Sequence, residues 1–445
     1  MLRLLQVFAA LCCVSLPNVS ALAPGAPLIW SVPPFNSSDP LGGLPMLPNG
    51  SSTIVFWGTE AEGDYNHGAM LTYLDGVITA AWKNGVNNSG EDAPGQRVRY
   101  AQSTDGDTWT PSAILFPSLS TPLLPVALFA GPFAVLGGRL YASATPAVIA
   151  TGDAQGSQFC LWPDGVDPRN AGPPGQRQPV GTLLLRRVLP GVGRLGPAFW
   201  AADAVPRGFG PASAAAGLLT ANATDAVTRA DVAALLLGAH APAPPCGDPA
   251  TSGTLKCEAV ARGAQDYQTL PLIARLANER SHWAVPPSRG GAHAGADVLV
   301  YRSHSGALWA SMRGAGAQAW SEVALSPIPN DDSNINAGSL PSGAAFIVAN
   351  AVPHRGRDPL TLALAGDGLN FTACVALLSC RGLRPNSTCV KRGPGGASGG
   401  PSYPQALSVV APAPGALRGL YVVATNNKED VVVVRFPWTA LGEEG

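Results

Sequence analysis

A glutamate, a tyrosine and two arginines stand in four short segments of the second half of the chain: Ala277-Asn278-Glu279, Tyr301-Arg302-Ser303, Arg357-Asp358-Pro359 and Ser402-Tyr403-Pro404. A guanidinium fork matches a carboxylate through two charge-assisted hydrogen bonds. A phenol, with a pKa of about 10, is a poor nucleophile until a neighbouring base draws its proton, and glutamate is such a base. The first half adds Glu91-Asp92, a possible general acid, and Tyr65-Asn66-His67-Gly68, whose amide and imidazole can meet a polar ligand. Each residue also has a plainer reading. Glu279 beside Arg280 can be a solvated pair, Asp92 turn chemistry, Tyr403 a packed aromatic, and Arg302 and Arg357 surface residues, with Arg355 an alternative to Arg357. No second histidine stands at ligand spacing from His67, so no metal is expected there.

These segments need a scaffold that brings distant residues together, and the text between them reads as short strands. Ser52 to Thr59 is apolar and β-branched. Ala69 to Tyr73 and Val77 to Trp82 flank Leu74-Asp75-Gly76, and Phe133 to Leu136 and Arg139 to Ala144 flank Gly137-Gly138. Ala345 to Val348, Leu360 to Leu364, Leu420 to Ala424 and Val431 to Phe436 continue the series. Within it, Ser103-Thr104-Asp105-Gly106-Asp107-Thr108-Trp109 places an aspartate to bond back to turn amides and a glycine at the left-handed position. Ala365-Gly366-Asp367-Gly368-Leu369-Asn370-Phe371 repeats the spacing, and Ser311 to Trp320 reads as a third, eroded copy. One stretch departs from the pattern. Thr228-Arg229-Ala230-Asp231 and Val232 to Leu237 read as a capped helix ending at Gly238, inside an insertion at about 205–260.

The repeats resemble the Asp-boxes of the sialidase superfamily, and residues 277–430 resemble its later segments: the Asn-Glu strand, the strands bearing two carboxylate-binding arginines, and the Tyr-Ser-x-Leu segment, with Pro404 where the family has serine. The resemblance implies an all-β fold, a six-bladed β-propeller with a short helical insertion. It implies an exo-glycosidase with Tyr403 as nucleophile, Glu279 as its base, Asp92 as general acid, and Arg302 and Arg357 gripping a substrate carboxylate. It also exposes a departure. The family places its first arginine in a Phe/Tyr-Arg-Ile-Pro segment, and this chain has Asn66 and His67 in that place, so both become candidate substrate contacts. A propeller lyase using Tyr403 and His67 as acid and base, and a non-catalytic glycan-binding propeller, are the competing readings.

Composition limits the rest. With 46% hydrophobic and 13% charged residues the chain has material for a large core, and 52 glycines and 43 prolines fit many tight turns. A net charge of -1 without a long basic run gives no footprint for nucleic acid. A basic start at Arg3, an apolar run from Leu4 to Leu16 and small residues to Ala23 predict a signal peptide over 1–23, a propeller over 24–445 and no membrane anchor after cleavage. Secretion then suggests disulfides among Cys160, Cys246, Cys257, Cys374, Cys380 and Cys389, and glycans on the sequons at Asn36, Asn49, Asn87, Asn222, Asn370 and Asn386. A glycan or polysaccharide is the expected partner, and no cofactor is expected.

Overall fold

The computed structural model describes residues 27–86, 95–119, 126–149, 159–160, 183–202, 218–240, 280–287, 293–302, 306–317, 320–321, 324–331, 333–353, 356–383, 389, 399–410 and 417–443. The expected signal peptide lies outside them. In chain order the strands begin with β1 (Ile29–Trp30) and β2 (Ser51–Phe56). A first meander sheet runs β3 (Tyr65–Leu74), β4 (Val77–Gly85), β5 (Arg97–Ser103) and β6 (Ala113–Phe116). A second contains β7 (Val126–Leu136), β8 (Arg139–Ile149), β9 (Phe159–Cys160), β10 (Leu184–Val188), β11 (Leu195–Trp200) and β12 (Leu219–Thr220), followed by the helix α1 (Ala226–His240).

The third sheet is β13 (Arg280–Ala284), β14 (Asp297–Tyr301), β15 (Ala307–Arg313) and β16 (Ala324–Pro329). The fourth is β17 (Asn336–Ser339), β18 (Ala345–Ala349), β19 (Leu360–Ala365) and β21 (Ala373–Leu378), with β20 (Asn370–Phe371) pairing instead with β1. The last is β22 (Pro401–Val409), β23 (Gly419–Asn426) and β24 (Asp430–Phe436), and its outer edge is taken by β2. The chain's beginning thus completes the sheet formed by its end.

The first strands of the sheets touch one another in sequence, β7 with β3, β3 with β22, β22 with β17 and β17 with β13. The core lies between faces of neighbouring sheets. One layer joins Val98 and Tyr100 to Leu128 and Trp200, a second joins Leu71 and Trp82 to Leu407 and Tyr421, and a third joins Val348 and Leu362 to Val422 and Val434. A fourth packs Trp283 and Val298 on Ile347 and Phe371. Because both faces of most strands are covered, the strands read as near-continuous apolar runs such as Val431-Val432-Val433-Val434. Five sheets of four or more strands are present among the described residues, beside the two-stranded β1–β20 pair. The sixth that the sequence suggested has no counterpart among them.

The Asp-boxes over 103–109 and 365–371 form as expected. Asp105 Oδ1 accepts the amides of Asp107 at 2.9 Å and Thr108 at 2.7 Å, and Asp367 Oδ1 accepts those of Leu369 at 2.9 Å and Asn370 at 2.7 Å. Gly106 sits at φ +82°, where a Cβ would stand 2.6 Å from the Tyr421 ring, so glycine is required twice over. Two readings need correction. The helix starts earlier than Thr228, because Asp225 accepts the Thr228 amide at 2.8 Å and so caps α1. Cys380 pairs with Cys389, but Cys374 is a free, buried thiol that desolvation pushes up to about 12. Its place against Ala363 on the covered face of β21 brings it no cysteine partner among the described residues, which do not include Cys246 and Cys257.

Candidate active site

In a four-stranded meander, the start of the first strand and the turn between the second and third strands share one rim, while the turn between the third and fourth strands lies at the other. Both Asp-boxes occupy turns of the latter kind, β5 to β6 and β19 to β21. The candidate residues occupy the former. Tyr65 and His67 open β3, and Tyr403 lies at the start of β22. Arg302 follows β14, Arg357 precedes β19, and Lys428 lies between β23 and β24. The topology therefore gathers on one rim residues separated by more than three hundred positions, and keeps the boxes at the other.

Tyr403 is held in an unusual way. The β22–β23 register shifts between Ser402 and Gln405, a bulge that contains Tyr403 and Pro404. Tyr403 has φ +54°, a left-handed conformation that costs a non-glycine residue of the order of 1–3 kcal/mol. Pro404 suits a bulge because it has no amide to offer the ladder. A bulge re-aims a side chain, and here the buried phenol turns toward the arginines. Gln405 then restores the frame, its side-chain oxygen accepting the Leu71 amide of β3.

Around this phenol stand cations. Arg302 Nη1 donates to Tyr403 Oη at 2.9 Å. The guanidinium carbons of Arg357 and Arg302 lie 5.1 and 5.6 Å from the ring centroid, and Lys428 Nζ lies 5.7 Å from it. His67 contacts the same ring edge-on, with centroids 4.0 Å apart, and Tyr65 stands 6.0 Å beyond His67. Behind Tyr65 the buried Lys83 places Nζ 5.7 Å from that ring and 4.0 Å from the Phe129 ring. A concentration of positive charge beside a polar aromatic cluster favours an anionic ligand.

The loops carrying these groups are bonded to one another. Asn350 Nδ2 donates to the carbonyls of Arg357, Pro359 and Pro401, at 2.8, 3.1 and 3.0 Å, which fixes the Arg357 segment against the start of β22. The Asp358 carboxylate accepts the Cys380 amide at 2.9 Å and the Ser379 hydroxyl at 3.1 Å, beside the Cys380–Cys389 disulfide. Gly400, at φ +116°, lets the backbone pass so close that a Cβ would meet the Arg357 carbonyl at 2.7 Å.

Asn66 is not where a ligand could use it. The residue is fully buried, its amide donates to the carbonyls of Gly63 at 3.1 Å and Glu429 at 2.6 Å, and its oxygen accepts Trp82 Nε1 at 3.0 Å and Asn84 Nδ2 at 2.8 Å. Its expected substrate contact is corrected to an internal role. The structure thus brings Tyr403, Arg302, Arg357 and His67 together and removes Asn66. Glu279, Glu91, Asp92 and Arg355 lie outside the described residues. Sequence reasoning missed Tyr65, Lys83 and Lys428. The signal for the last was the Asn426-Asn427-Lys428 turn between two apolar strands.

A family model described as a BNR repeat-like domain matches residues 276–412. A solved structure named "Sialidase" superposes with a TM-score of 0.63 at 17% identity, covering 92% of this chain and 35% of that one. The fold is of the sialidase type. Further neighbours with sialidase folds are the Hadza microbial sialidase Hz136, with a TM-score of 0.49 at 11% identity, and the Trypanosoma rangeli sialidase, with 0.46 at 10%. They are covered over 69% and 60% of their lengths, and this chain over 87% and 88%. The chain therefore spans about a third of the first of these sialidase structures. No curated protein matches it in sequence. The BNR match covers less than half of the chain, and at 17% identity the structural likeness is one of fold.

Proposed function

We propose that the protein is a secreted exo-glycosidase of sialidase type, which hydrolyses a terminal sialic acid or related acidic sugar. The observation that carries this reading is the 2.9 Å hydrogen bond from Arg302 to the Tyr403 hydroxyl, with Arg357 on the same ring. A phenol suits an anomeric carbon bearing a carboxylate, because an aspartate or glutamate nucleophile would be repelled by that charge. In the first step Tyr403 Oη attacks the anomeric carbon, Glu279 takes the phenolic proton, and the glycosidic C–O bond breaks as Asp92 protonates the leaving oxygen. Water then attacks the anomeric carbon, losing its proton to Asp92, and the phenoxide leaves and recovers its proton from Glu279. Arg302 meets the charge on the phenolic oxygen and, with Arg357, binds the substrate carboxylate. No metal or cofactor takes part in these steps. Six blades and the signal peptide belong to the same proposal, and the exposed sequons Asn36, Asn49 and Asn222 support passage through a secretory route.

The 4.0 Å contact of His67 with Tyr403 favours a second reading, a lyase in which the two abstract and deliver protons beside a uronate carboxylate. One assay separates them. Hydrolysis of an acidic glycoside that falls at least about a thousandfold in Tyr403→Phe, without new ultraviolet absorbance, supports the glycosidase. Absorbance from a new unsaturated bond supports the lyase, and saturable glycan binding without turnover supports a binding protein.

A further inference from the structure

The cluster around Tyr403, the candidate pocket, holds one cation that neither the two arginine segments nor the first sheet supplies. Lys428 stands in the β23–β24 turn, where Asn427 and Lys428 both have φ +56° and the Glu429 amide donates to the Asn426 carbonyl at 2.9 Å. Two consecutive positive φ values define a type I′ turn, whose second central position is a glycine position by preference. A lysine there strains the backbone, and such strain persists where surrounding structure imposes it. That structure is visible. The Asn66 amide N–H donates to the Lys428 carbonyl at 2.7 Å, and Asn66 Nδ2 donates to the Glu429 carbonyl at 2.6 Å. The Gly400 amide donates to Asn427 Oδ1 at 2.6 Å and the Asn427 amide to the Gly400 carbonyl at 3.1 Å.

Thus Asn66 does not replace a cation; it holds the turn that delivers one. Asn427, Glu429 and Asp430 are buried while Lys428 is partly exposed, and its Nζ stands 5.7 Å from the Tyr403 ring that Arg302 and Arg357 flank at 5.6 and 5.1 Å. We propose that Lys428 is a specificity-determining residue, the third positive group of the pocket, so that the ligand's carboxylate is shared by two arginine forks and one lysine point charge. This deepens the glycosidase reading and rests on it. An ammonium presents rotatable donors rather than a planar fork, so it tolerates a carboxylate displaced toward the last sheet.

The test is calorimetric titration of the full chain with a 2,3-unsaturated sialic acid and with its methyl ester, a neutral form of the same sugar. The native protein should prefer the acid, and Lys428→Met should lose about tenfold or more in affinity for the acid with little change for the ester. Lys428→Arg should retain most of the preference. Lys428→Gly restores the residue that the turn favours, so it should melt no lower than the native protein while losing the same affinity, which a purely structural role would not produce. Equal acid affinity in native, Met and Gly forms would overturn the role of Lys428 and leave the glycosidase reading standing. A native protein that fails to prefer acid over ester would overturn both.

Discussion

At the scale of single residues, the pocket is defined by side chains whose backbones are not at ease. Tyr403 and Lys428 share positive φ values; the Tyr403 hydroxyl accepts from Arg302 and the Lys428 carbonyl from the Asn66 amide of β3. Asn66 illustrates the opposite case, a polar residue that lies near the pocket and serves only its frame. Arginine at that position would put a charge where four hydrogen bonds now close among Gly63, Trp82, Asn84 and Glu429. Each buried partner left unsatisfied costs about 1–3 kcal/mol. Asn66→Arg should therefore lower the urea midpoint by an amount equivalent to about 3 kcal/mol or more and weaken acid binding by loosening the Lys428 turn. A variant of native stability with improved affinity for an acidic sugar would show that this network does not hold the turn. Arg302, Arg357 and Tyr403, to which the resemblance pointed, do meet around one ring, while Glu279 lies outside the described residues. Lys428 was not legible, since a lysine in a turn reads as a solvated residue until the chain closes.

At the scale of elements, strand-turn-strand units were legible because glycine and aspartate punctuate apolar runs. Leu74-Asp75-Gly76 and Gly137-Gly138 are turns as read, and β18, β19, β23 and β24 fall where apolar runs placed them. The start of α1 was misread because Thr228 and Asp225 are both capping types, and only the backbone decides between them. The Asp-box is a small unit with a measurable signature. Thr108 and Asp107 amides hold the Asp105 carboxyl down to about 2, below its ordinary value of 3.8. A depressed folded-state pKa adds stability that is full above the unfolded value and is lost as pH falls toward the folded one. Asp105→Asn should thus be less stable than the native protein at pH 5 to 7, and the gap should narrow between about pH 4 and 2. Urea midpoints taken across that range check it, and a gap independent of pH would mean that the carboxylate charge does not matter to the turn.

At the scale of the whole molecule, an early strand meets the last one. β2 pairs with β24 from Ser51 opposite Arg435 to Phe56 opposite Val431, and Asn66 bonds to the β23–β24 turn that carries Lys428. Closing the last sheet and assembling the rim are therefore one event. Phe56 is the anchor of that closure, buried, with its ring 5.4 Å from Trp82 and the Arg99 guanidinium 4.9 Å from its centroid. Phe56→Ala should cost about 3–5 kcal/mol through the cavity it leaves. Its effect on the rim should follow from position. Binding of an acidic ligand should weaken in Phe56→Ala at temperatures below its melting point, because the β2 edge frees before the core. Val232→Ala, a buried change in α1, should lower stability without touching affinity, since that helix is anchored to the second sheet by the Arg139–Asp231 pair at 2.6 Å and the Tyr141 hydroxyl at 2.7 Å. Ligand titration and melting of both variants decide the matter. If Val232→Ala loses affinity as Phe56→Ala does, the rim responds to general stability and the closing strand has no special hold on it.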